Sequence, residues 1–567
     1  MLEKRAWHDR YPEDLPKTLE YDKCALYQYL IDAAKHHGEK KALYFMGKEM
    51  TYKELYKEAK KTANYLQSIG IRKGDRVAIF LPNTPQSVIS YYGILMAGAI
   101  AVPTNPLYTE RELIFQMNDA QARAIICLDI LLPRVNSARS HTTLEHVIVT
   151  GIKDYLPFPK NMIYPFIQKR EYNLVVKVEP SNDTHVWKKM MEHSVADYLE
   201  SPINPEEDLA LLQYTGGTTG SPKGVMLTHY NLSANVQMCE TWLSRSEEQK
   251  GQDVVLGILP FFHVYGMTAV MNFAIKKASK IILIPKFDAG DLLKVIDKQK
   301  PNLFPGAPTI YIGLLNHPEL EKYDLSSIDA CISGSAPLPV EIQERFERIT
   351  GGKLVEGYGL TETSPVTHAN FVYAERINGS IGVPWPDTDA KIVQMGEAGL
   401  EEVPVGEIGE IAVKGPQVMK GYWNNEEETA STLKDGWLLT GDLGYVDESG
   451  FFYVVDRKKD MIIAGGFNIY PREIEEVLYE HEAIQEAVAA GIPDPYRGET
   501  VKAYIVLKEG AALTEEELNE YARKHLASYK VPRIYEFRDE LPKTAVGKIL
   551  RRKLIDEEKQ KQEAASV

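Results

Sequence analysis

The chain has 567 residues, too many for a single hydrophobic core, and its length predicts about three or four structural units. Its composition, 44% apolar and 26% charged, is that of a globular protein and argues against wholesale disorder. The net charge of −15 disfavours a nucleic-acid partner. Because the same charge repels small anions, a site for phosphates needs local cations or backbone N–H donors.

The sequence indicates neither a membrane or secretory segment nor a cysteine-based site. No stretch reaches the roughly 18 uninterrupted apolar residues of a membrane span, and MLEKRAWHDR at the N-terminus has no apolar segment behind its charges. The four cysteines lie far apart and fit neither a disulfide framework nor a zinc site. We therefore expect a cytoplasmic protein.

From about residue 50 to 360, short β-branched runs alternate with helical patterns, which is typical of parallel α/β sheets. The predicted strands are Arg76–Leu81, Ala99–Val102, Ala124–Leu128, Leu209–Tyr214, Val254–Leu259, Ile281–Pro285, Ile328–Ser333 and Leu354–Glu356. Four of them run into distinctive loops: TGGTTGSPKG from Thr215, PFFHVYG from Pro260, GSAP from Gly334 and GYGLTET from Gly357. Because ligands of open α/β sheets bind beyond the carboxyl ends of strands, we expect these loops to share one site.

The remainder of the chain changes character twice. Residues 375–455 are rich in Gly and Pro, with alternating strands such as Gly409–Lys414 and Phe451–Val455, and indicate a small β-barrel. The charged segment DRKKD follows from Asp456, and a compact α+β pattern follows that, including a helix at Glu515–Leu526 with a Thr514–Glu517 capping box. We predict a large domain over 1–456 and a small one over 457–567.

One segment has no clean period. Residues 150–200 mix aromatic, proline and basic residues, as in YLPFPKNMIYPFIQKREY. An irregular excursion on the surface explains this composition. Contact with a membrane or a lipid donor explains it too, because aromatic–basic mixtures favour the water–lipid interface. Both interpretations stay open.

The strongest motif is YTGGTTGSPKG, from Tyr214 to Gly224. Its glycines permit close backbone approach, its threonines and N–H groups can donate to phosphate, and Lys223 adds charge. It is not a Walker loop, because Pro222 precedes Lys223 where that motif needs glycine. The eleven residues resemble the signature loop of the acyl-adenylate-forming superfamily, which includes acyl-CoA synthetases, luciferase-like enzymes and peptide-synthetase adenylation domains.

Other motifs of the superfamily follow in order: EGYGLTET from Glu356, DGWLLTGDLG around Asp442, DRKKD from Asp456 and PKTAVGKILRRKL around Lys548. The resemblance runs from TYKEL at Thr51 to GKILRRKL at Gly547, and looks greatest to the bacterial long-chain fatty acyl-CoA synthetases. It implies an α/β large domain of two stacked parallel-sheet αβα subdomains plus a small β-barrel, followed by a mobile α+β domain that rotates near Lys459. The implied reaction converts a fatty acid to acyl-AMP, releasing pyrophosphate, and then to acyl-CoA, releasing AMP. ATP and coenzyme A are the implied co-substrates and Mg²⁺ the implied metal.

The resemblance also assigns residues. Catalytic roles fall on Lys548, which would neutralise the charge developing between two anions, and on Glu362, Thr361 and His263. The implied metal ligands are Thr215 and Glu362, and the implied substrate pocket contains Phe262, His263 and Met267. Nucleotide and coenzyme A contacts fall on Thr215, Gly216, Gly217, Thr218, Thr219, Gly220, Lys223, Gly334, Ser335, Ala336, Glu356, Gly357, Tyr358, Gly359, Asp442, Arg457, Lys459 and Gly466.

Several alternatives stay open. Amino-acid-activating relatives carry Asp where His263 stands, so an amino-acid substrate is disfavoured, while the apolar residues near it suit a hydrocarbon chain. Some long-chain relatives carry a Trp at the position of Met267, which leaves chain length undetermined. An aryl-acid (coumarate-like) ligase, a fatty acyl-AMP ligase that loads a carrier protein, a luciferase-type oxidase and a non-catalytic nucleotide sensor are the competing hypotheses. Peripheral membrane contact and a homodimer are further expectations.

Overall fold

The computed structural model describes residues 5–215, 222–243, 251–396, 399–464, 467–494, 497–544 and 547–565. The strands are β1 (Lys41–Phe45), β2 (Lys48–Thr51), β3 (Arg76–Phe80), β4 (Ile100–Pro103), β5 (Ala122–Leu128), β6 (His146–Thr150), β7 (Thr184–Val186), β8 (Leu209–Thr215), β9 (Lys223–Thr228), β10 (Val254–Gly257), β11 (Lys280–Leu283), β12 (Ala330–Ser333), β13 (Lys353–Gly359), β14 (Val366–Ala369), β15 (Val383–Pro384), β16 (Asp389–Gly396), β17 (Gly399–Glu402), β18 (Gly409–Lys414), β19 (Gly421–Tyr422), β20 (Leu433–Lys434), β21 (Trp437–Val446), β22 (Phe452–Arg457), β23 (Ile462–Ala464), β24 (Phe467–Ile469), β25 (Ile484–Asp494), β26 (Gly498–Leu507) and β27 (Ile534–Phe537).

The α-helices connect these strands. They are α1 (Gln28–His37), α2 (Tyr52–Ser68), α3 (Pro85–Met96), α4 (Glu110–Asp119), α5 (Leu132–Arg139), α6 (Lys160–Tyr172), α7 (Trp187–His193), α8 (His229–Trp242), α9 (Phe273–Lys276), α10 (Ala289–Gln299), α11 (Pro308–Leu315), α12 (Val340–Thr350), α13 (Glu426–Thr432), α14 (Pro471–Tyr479), α15 (Glu515–His525) and α16 (Arg551–Ala565). Among the described residues no helix is both long and apolar enough to cross a membrane.

Two large sheets, both mainly parallel, form the body of the protein. One runs β2-β1-β11-β10 and continues through bridges made by Leu303 into β12-β13-β14-β15. The other runs β19-β9-β8-β4-β3-β5-β6-β7 and is parallel from β8 to β7. Helix α2, which follows a strand of the first sheet, packs against α3, which connects two strands of the second. All eight predicted strands are present, with ends shifted by a few residues.

Helix capping and burial explain why the elements begin where they do. Thr51 caps α2 and Thr84 caps α3, each by accepting from a backbone N–H in the first turn. Every residue of α3 is buried, which fits its position between the layers. The Thr514–Glu517 capping box predicted for α15 is confirmed.

The region predicted as a β-barrel is an antiparallel sheet of six strands, in the order β17-β16-β18-β21-β20 with β22 on β21. The described pairings leave this sheet open at β17. The β21–β22 pair of this sheet contributes to the predicted site, because its register places Asp442 opposite Arg457. That register brings two predicted site residues together on neighbouring strands.

The C-terminal part has its own sheet and its own cores. Strands β24-β23-β26-β25, with β27 parallel to β26, carry α14, α15 and α16. The main hydrophobic core ends at Phe452, and the next one begins at Ile462. The boundary after residue 456 and the hinge at Lys459 stay predictions.

The segment 150–200 is more ordered than an irregular excursion, because it contains α6, α7 and the edge strand β7 of the second sheet. Its sequence shows no clean period because α6 carries apolar side chains on its solvent face. Met162, Ile163 and Phe166 are exposed there, as is Phe158 just before the helix.

Candidate active site

One large cavity lies where the two mainly parallel sheets, the antiparallel sheet and the C-terminal part meet. Its volume is about 1070 Å³. Strand β8 ends at it with Thr215, and β13 ends at it with Gly359. The site residues predicted from sequence that line it are Thr215, Lys223, Phe262, His263, Gly334, Ser335, Gly357, Tyr358, Gly359, Thr361, Glu362, Asp442, Arg457, Lys459 and Lys548. The expectation that the strand-end loops share one site is met by these residues.

At one end of the cavity a cation and a carboxylate are linked through a tyrosine. Lys223, the first residue of β9, forms an ion pair with Glu428 on α13 and lies 5.2 Å from the ring centre of Tyr422. The Tyr422 hydroxyl donates to Oε1 of Glu362 at 2.8 Å. Strand β19 pairs with β9, which brings Tyr422 to this place. Neither Tyr422 nor Glu428 was predicted, since only the β9–β19 pairing reveals them.

This end of the cavity suits a magnesium ion that is shared with phosphates. Mg²⁺ prefers oxygen ligands and typically takes one or two carboxylates, with phosphates and water filling the other positions. Glu362 and the hydroxyl of Thr215 both line the cavity and offer such oxygens. Over the described ranges there is no cluster of three or more His, Cys, Asp or Glu side chains able to hold a metal by themselves. One carboxylate and one hydroxyl are a donor set that fits a metal whose other ligands are phosphate oxygens and water.

A second group of polar residues lies around Asp442, whose side chain is nearly buried. The Tyr358 hydroxyl donates to its Oδ2 at 2.6 Å, and Arg457 Nε lies 3.3 Å from its Oδ1. Burial, reinforced by Asp442, raises the pKa of Tyr358 well above its ordinary value, so the phenol stays a neutral donor. A carboxylate with an aromatic ring beside it is suited to accept two neighbouring hydroxyls of a ribose under a stacked base.

Glycine is required at the end of β13. A Cβ on Gly359 would collide with the carbonyl of Pro365, so the chain passes too closely for any side chain. Ser335, which follows Gly334 at the cavity wall, has a φ of 72°, in the left-handed region. At Gly359 the cavity wall is therefore backbone without a side chain.

Lys548 enters the cavity from the C-terminal part. Its backbone N–H donates to Oγ1 of Thr544 at 3.1 Å, closing the loop that carries it. Burial, with a smaller effect of Arg457, lowers the pKa of Lys548 to about 8. Arg551, the first residue of α16, donates to Asp460 at 2.6 Å and to Glu475 at 2.7 Å, which fixes the start of the helix that follows Lys548. Arg551 is thus an internal structural cation in this arrangement.

The predicted acyl side of the cavity is formed by Phe262 and His263. The Phe262 carbonyl accepts from Gln213 Nε2 at 2.9 Å. Burial, with Lys548 nearby, lowers the pKa of His263 to about 4, so the imidazole is neutral at physiological pH. A π-helix, Gly266–Asn272, follows and is wholly buried; such distortions are frequent at functional sites.

Three predicted site residues lie elsewhere. Met267 is buried within the π-helix and does not line the cavity. Ala336 is also absent from the lining, unlike Gly334 and Ser335. Glu356 lies deeper in β13, paired in register with Ser333, and is buried away from the cavity wall. Gly216, Gly217, Thr218, Thr219, Gly220 and Gly466 fall outside the described residues.

A cavity at the ends of parallel strands, lined by the cations Lys223 and Arg457 and the carboxylates Glu362 and Asp442, is suited to bind a nucleotide. The sequence matches the AMP-binding enzyme family over residues 30–423 and the AMP-binding enzyme C-terminal domain over 473–548. The chain belongs to the AMP-binding enzyme family.

Several relatives are similar to this chain over nearly its whole length. A Bacillus subtilis (strain 168) protein named long-chain-fatty-acid–CoA ligase is 58% identical over 559 residues, covering 98% of this chain and 99% of the relative. A protein of the same name from Salmonella typhimurium (strain LT2) is 41% identical, with 98% of each chain covered. Among solved structures, the anthranilate CoA ligase AuaEII in complex with anthranoyl-AMP has a TM-score of 0.84 and 29% identity, covering 98% of this chain and 99% of that one.

Proposed function

We propose that this chain is a long-chain fatty acid–CoA ligase that forms acyl-AMP from a fatty acid and ATP and then acyl-CoA from acyl-AMP and coenzyme A. One observation supports it most directly. Lys548, from the C-terminal part, and Glu362, from the large part, line a single cavity that also contains Asp442 and Lys223. These are the charges that joining a carboxylate to a nucleotide requires.

In the first step a carboxylate oxygen of the fatty acid attacks the α-phosphorus of ATP. The new bond is O–P, and the broken one is the bond to the β-phosphate bridging oxygen, so pyrophosphate leaves with the electron pair. Both reactants are anionic, and the barrier falls when a fixed cation neutralises the charge that develops between them. Lys548 and Thr361 would act at this centre and Lys223 on the phosphates that leave. Mg²⁺, held by Glu362 and Thr215, would add positive charge to the phosphate oxygens.

In the second step the sulfur of coenzyme A attacks the acyl carbonyl carbon. The new bond is C–S, the acyl–phosphate C–O bond breaks, AMP leaves and the thiol proton passes to solvent. Asp442 and Arg457 would keep the AMP part in place during this exchange. Because Lys543, Thr544, Lys548 and Leu550 all line the cavity, the loop of the C-terminal part has to withdraw before a thiol can approach.

A long acyl chain is favoured over an aryl acid by the comparison of relatives. The named long-chain ligase is 58% identical over nearly the full chain, whereas the anthranilate ligase of similar fold is 29% identical. Phe262 and the neutral imidazole of His263 suit an uncharged acyl group.

The test is ATP–pyrophosphate exchange over acids from acetate to palmitate, with coumarate and amino acids, repeated with coenzyme A. Exchange that depends on laurate or palmitate, followed by AMP release that depends on coenzyme A, is the expected result. A preference for coumarate would instead establish the aryl-acid ligase. Pyrophosphate exchange without AMP release that depends on coenzyme A would favour a carrier-protein acceptor. ATP binding without pyrophosphate exchange would favour a nucleotide sensor.

We further propose that α6 contacts a membrane surface. Met162 and Phe166 are 65% and 75% exposed and stand at i, i+4 spacing on α6, so they lie on one side of the helix, and Phe158, just before the helix, is 78% exposed. Lys169 and Arg170 are exposed at the end of the same helix. Exposed aromatic and aliphatic residues next to cations suit the interface of an anionic bilayer, and fatty acids partition into such bilayers.

Co-sedimentation with vesicles of phosphatidylglycerol and phosphatidylcholine tests this contact. Changing Phe158, Met162 and Phe166 to Ser should reduce the bound fraction severalfold. Leu199→Ser, an equally exposed position outside α6, is the matched control. Equal sedimentation of wild type and the triple variant would rule out this surface. The homodimer stays a prediction from the resemblance, to be checked by light scattering.

A further inference from the structure

Arg472, the second residue of α14, connects the C-terminal part to the last strand of the large one. Its Nη1 donates to the carbonyl of Val454 on β22 at 2.8 Å. Its Nε donates to Oε1 of Glu476, one turn along α14, also at 2.8 Å. Only 12% of the side chain is exposed. The guanidinium is therefore enclosed between the two parts of the protein.

The backbone of the same residue makes a second connection. The N–H of Arg472 donates to Oδ2 of Asp456 at 2.9 Å, while Oδ1 of Asp456 accepts from the N–H of Arg457 at 2.7 Å. A carboxylate at the first turn of a helix is favourable because it meets unpaired N–H groups and the positive end of the helix dipole. Helix α14 is thus fixed to β22 at two points, and both involve Arg472.

The charge of this guanidinium also acts on a third group, the carboxyl of Glu356. Glu356 is buried in the middle of β13, directly before Gly357 of the cavity wall. Burial raises the pKa of Glu356 to about 7, and Arg472 is the cation that opposes this effect most strongly. A buried charge whose partner is removed is strongly destabilising. Rotation of α14 away from β22 would take this partner from Glu356.

We propose that Arg472 is a positioning residue which, through Val454 and Asp456, holds the C-terminal part in the arrangement that places Lys548 in the cavity. The inference rests on the proposed function and deepens it. Acyl-adenylate formation needs Lys548 in place. Thioester formation needs the loop carrying Lys548 withdrawn, which breaks the contacts of Arg472. Arg472 therefore favours the first half-reaction over the second.

The experiment measures the two half-reactions separately in Arg472→Ala and Arg472→Lys. Pyrophosphate exchange with palmitate reports the first, and acyl-CoA formation from supplied palmitoyl-AMP reports the second. We expect Arg472→Ala to lower exchange roughly 10- to 100-fold, because charged hydrogen bonds at a buried position are lost, and to leave thioester formation unchanged or faster. Arg472→Lys, which keeps the charge, should lie between. Arg523→Ala, an exposed arginine on α15, should change neither.

Several outcomes would overturn the inference. If both half-reactions and the melting temperature fall together, Arg472 has a structural role only. If pyrophosphate exchange is unaffected in Arg472→Ala, Arg472 does not position Lys548. Should the alanine variant fail to fold, the ratio of the two rates in Arg472→Lys decides, and an unchanged ratio contradicts the proposal. Wild type without any acid-dependent exchange would instead refute the proposed function.

Adding Glu356→Gln isolates the electrostatic contribution. If Arg472 compensates Glu356, the double variant should recover part of the exchange lost in Arg472→Ala, and the two effects should not add. Strict additivity would show that Glu356 plays no part in the positioning.

Discussion

The hydroxyl of Tyr422 donates a hydrogen bond to Oε1 of Glu362 over 2.8 Å, which joins strand β19 to the turn after β13. This bond fixes one oxygen of the carboxylate that we assign to the metal. Groups that orient a metal ligand in this way typically affect metal affinity or activity.

Tyr422→Phe removes the hydroxyl and keeps the ring beside Lys223. We expect the Mg²⁺ concentration for half-maximal pyrophosphate exchange to rise about 10-fold, because the carboxylate loses its orientation. The measurement is a Mg²⁺ titration at fixed ATP. Tyr445→Phe, which alters a ring stacked on Tyr453 away from the cavity lining, is the control, and an unchanged Mg²⁺ requirement for Tyr422→Phe would contradict the assignment.

Lys548→Ala should lower the exchange rate by roughly 100-fold or more, because a cation aimed at developing charge in an enclosed site contributes several kcal/mol, about 3 or more. Thioester formation from supplied acyl-AMP should change by only a few fold. Lys553→Ala, an exposed lysine on α16, serves as the control. Equal losses in both half-reactions would argue that Lys548 acts on AMP binding rather than on adenylation.

Adenylation should also depend on pH through Lys548. Burial lowers the pKa of this ammonium to about 8 in the nucleotide-free protein, and only the protonated form is cationic. The kcat/KM for ATP, which reports the free enzyme, should therefore be constant below this pKa and fall as pH rises through about 8. In Lys548→Arg the alkaline fall should disappear, since a guanidinium stays charged. The kcat/KM of this variant should be lower than that of wild type but independent of pH in this range. An identical alkaline fall in both proteins would assign it to another group.

Stability should depend on pH through Glu356. Its pKa in the folded protein, about 7, exceeds the ordinary 4.5, so the folded state holds the proton more tightly than the unfolded one. The contribution of this raised pKa to the free energy of unfolding is complete below pH 4.5. It is lost as pH rises through 7, and amounts to about 3 kcal/mol at most. Urea unfolding of Glu356→Gln and wild type at pH 5 and pH 8 should show the variant gaining relative stability at pH 8. Parallel profiles would contradict this.

Much of the fold followed from local patterns. The eight predicted strands of the two large sheets exist because β-branched runs between helical patterns specify buried parallel strands. The rule that ligands bind beyond the carboxyl ends of strands predicted that the loops at Thr215, Gly334 and Gly357 share one site. The three residues line one cavity. These are features that a short stretch of sequence carries by itself.

What could not be predicted depends on pairing between distant strands. Tyr422 and Glu428 reach the site only because β19 pairs with β9, and the sequence around them looks like an ordinary acidic helix start. Glu356 belongs to a motif whose later residues line the cavity, yet it pairs with Ser333 one step deeper in the sheet. A motif therefore identified the strand without telling which of its side chains face the ligand.

The ion pair between Lys223 and Glu428 has a consequence for how the site is filled and emptied. Any phosphate that takes Lys223 has to displace a carboxylate that is already there, so binding is an exchange of counter-ions and not the capture of a bare cation. The same carboxylate is available to reclaim the lysine when pyrophosphate departs. A phosphate site of this kind gives up some affinity for its incoming nucleotide and, in return, releases its outgoing product more readily.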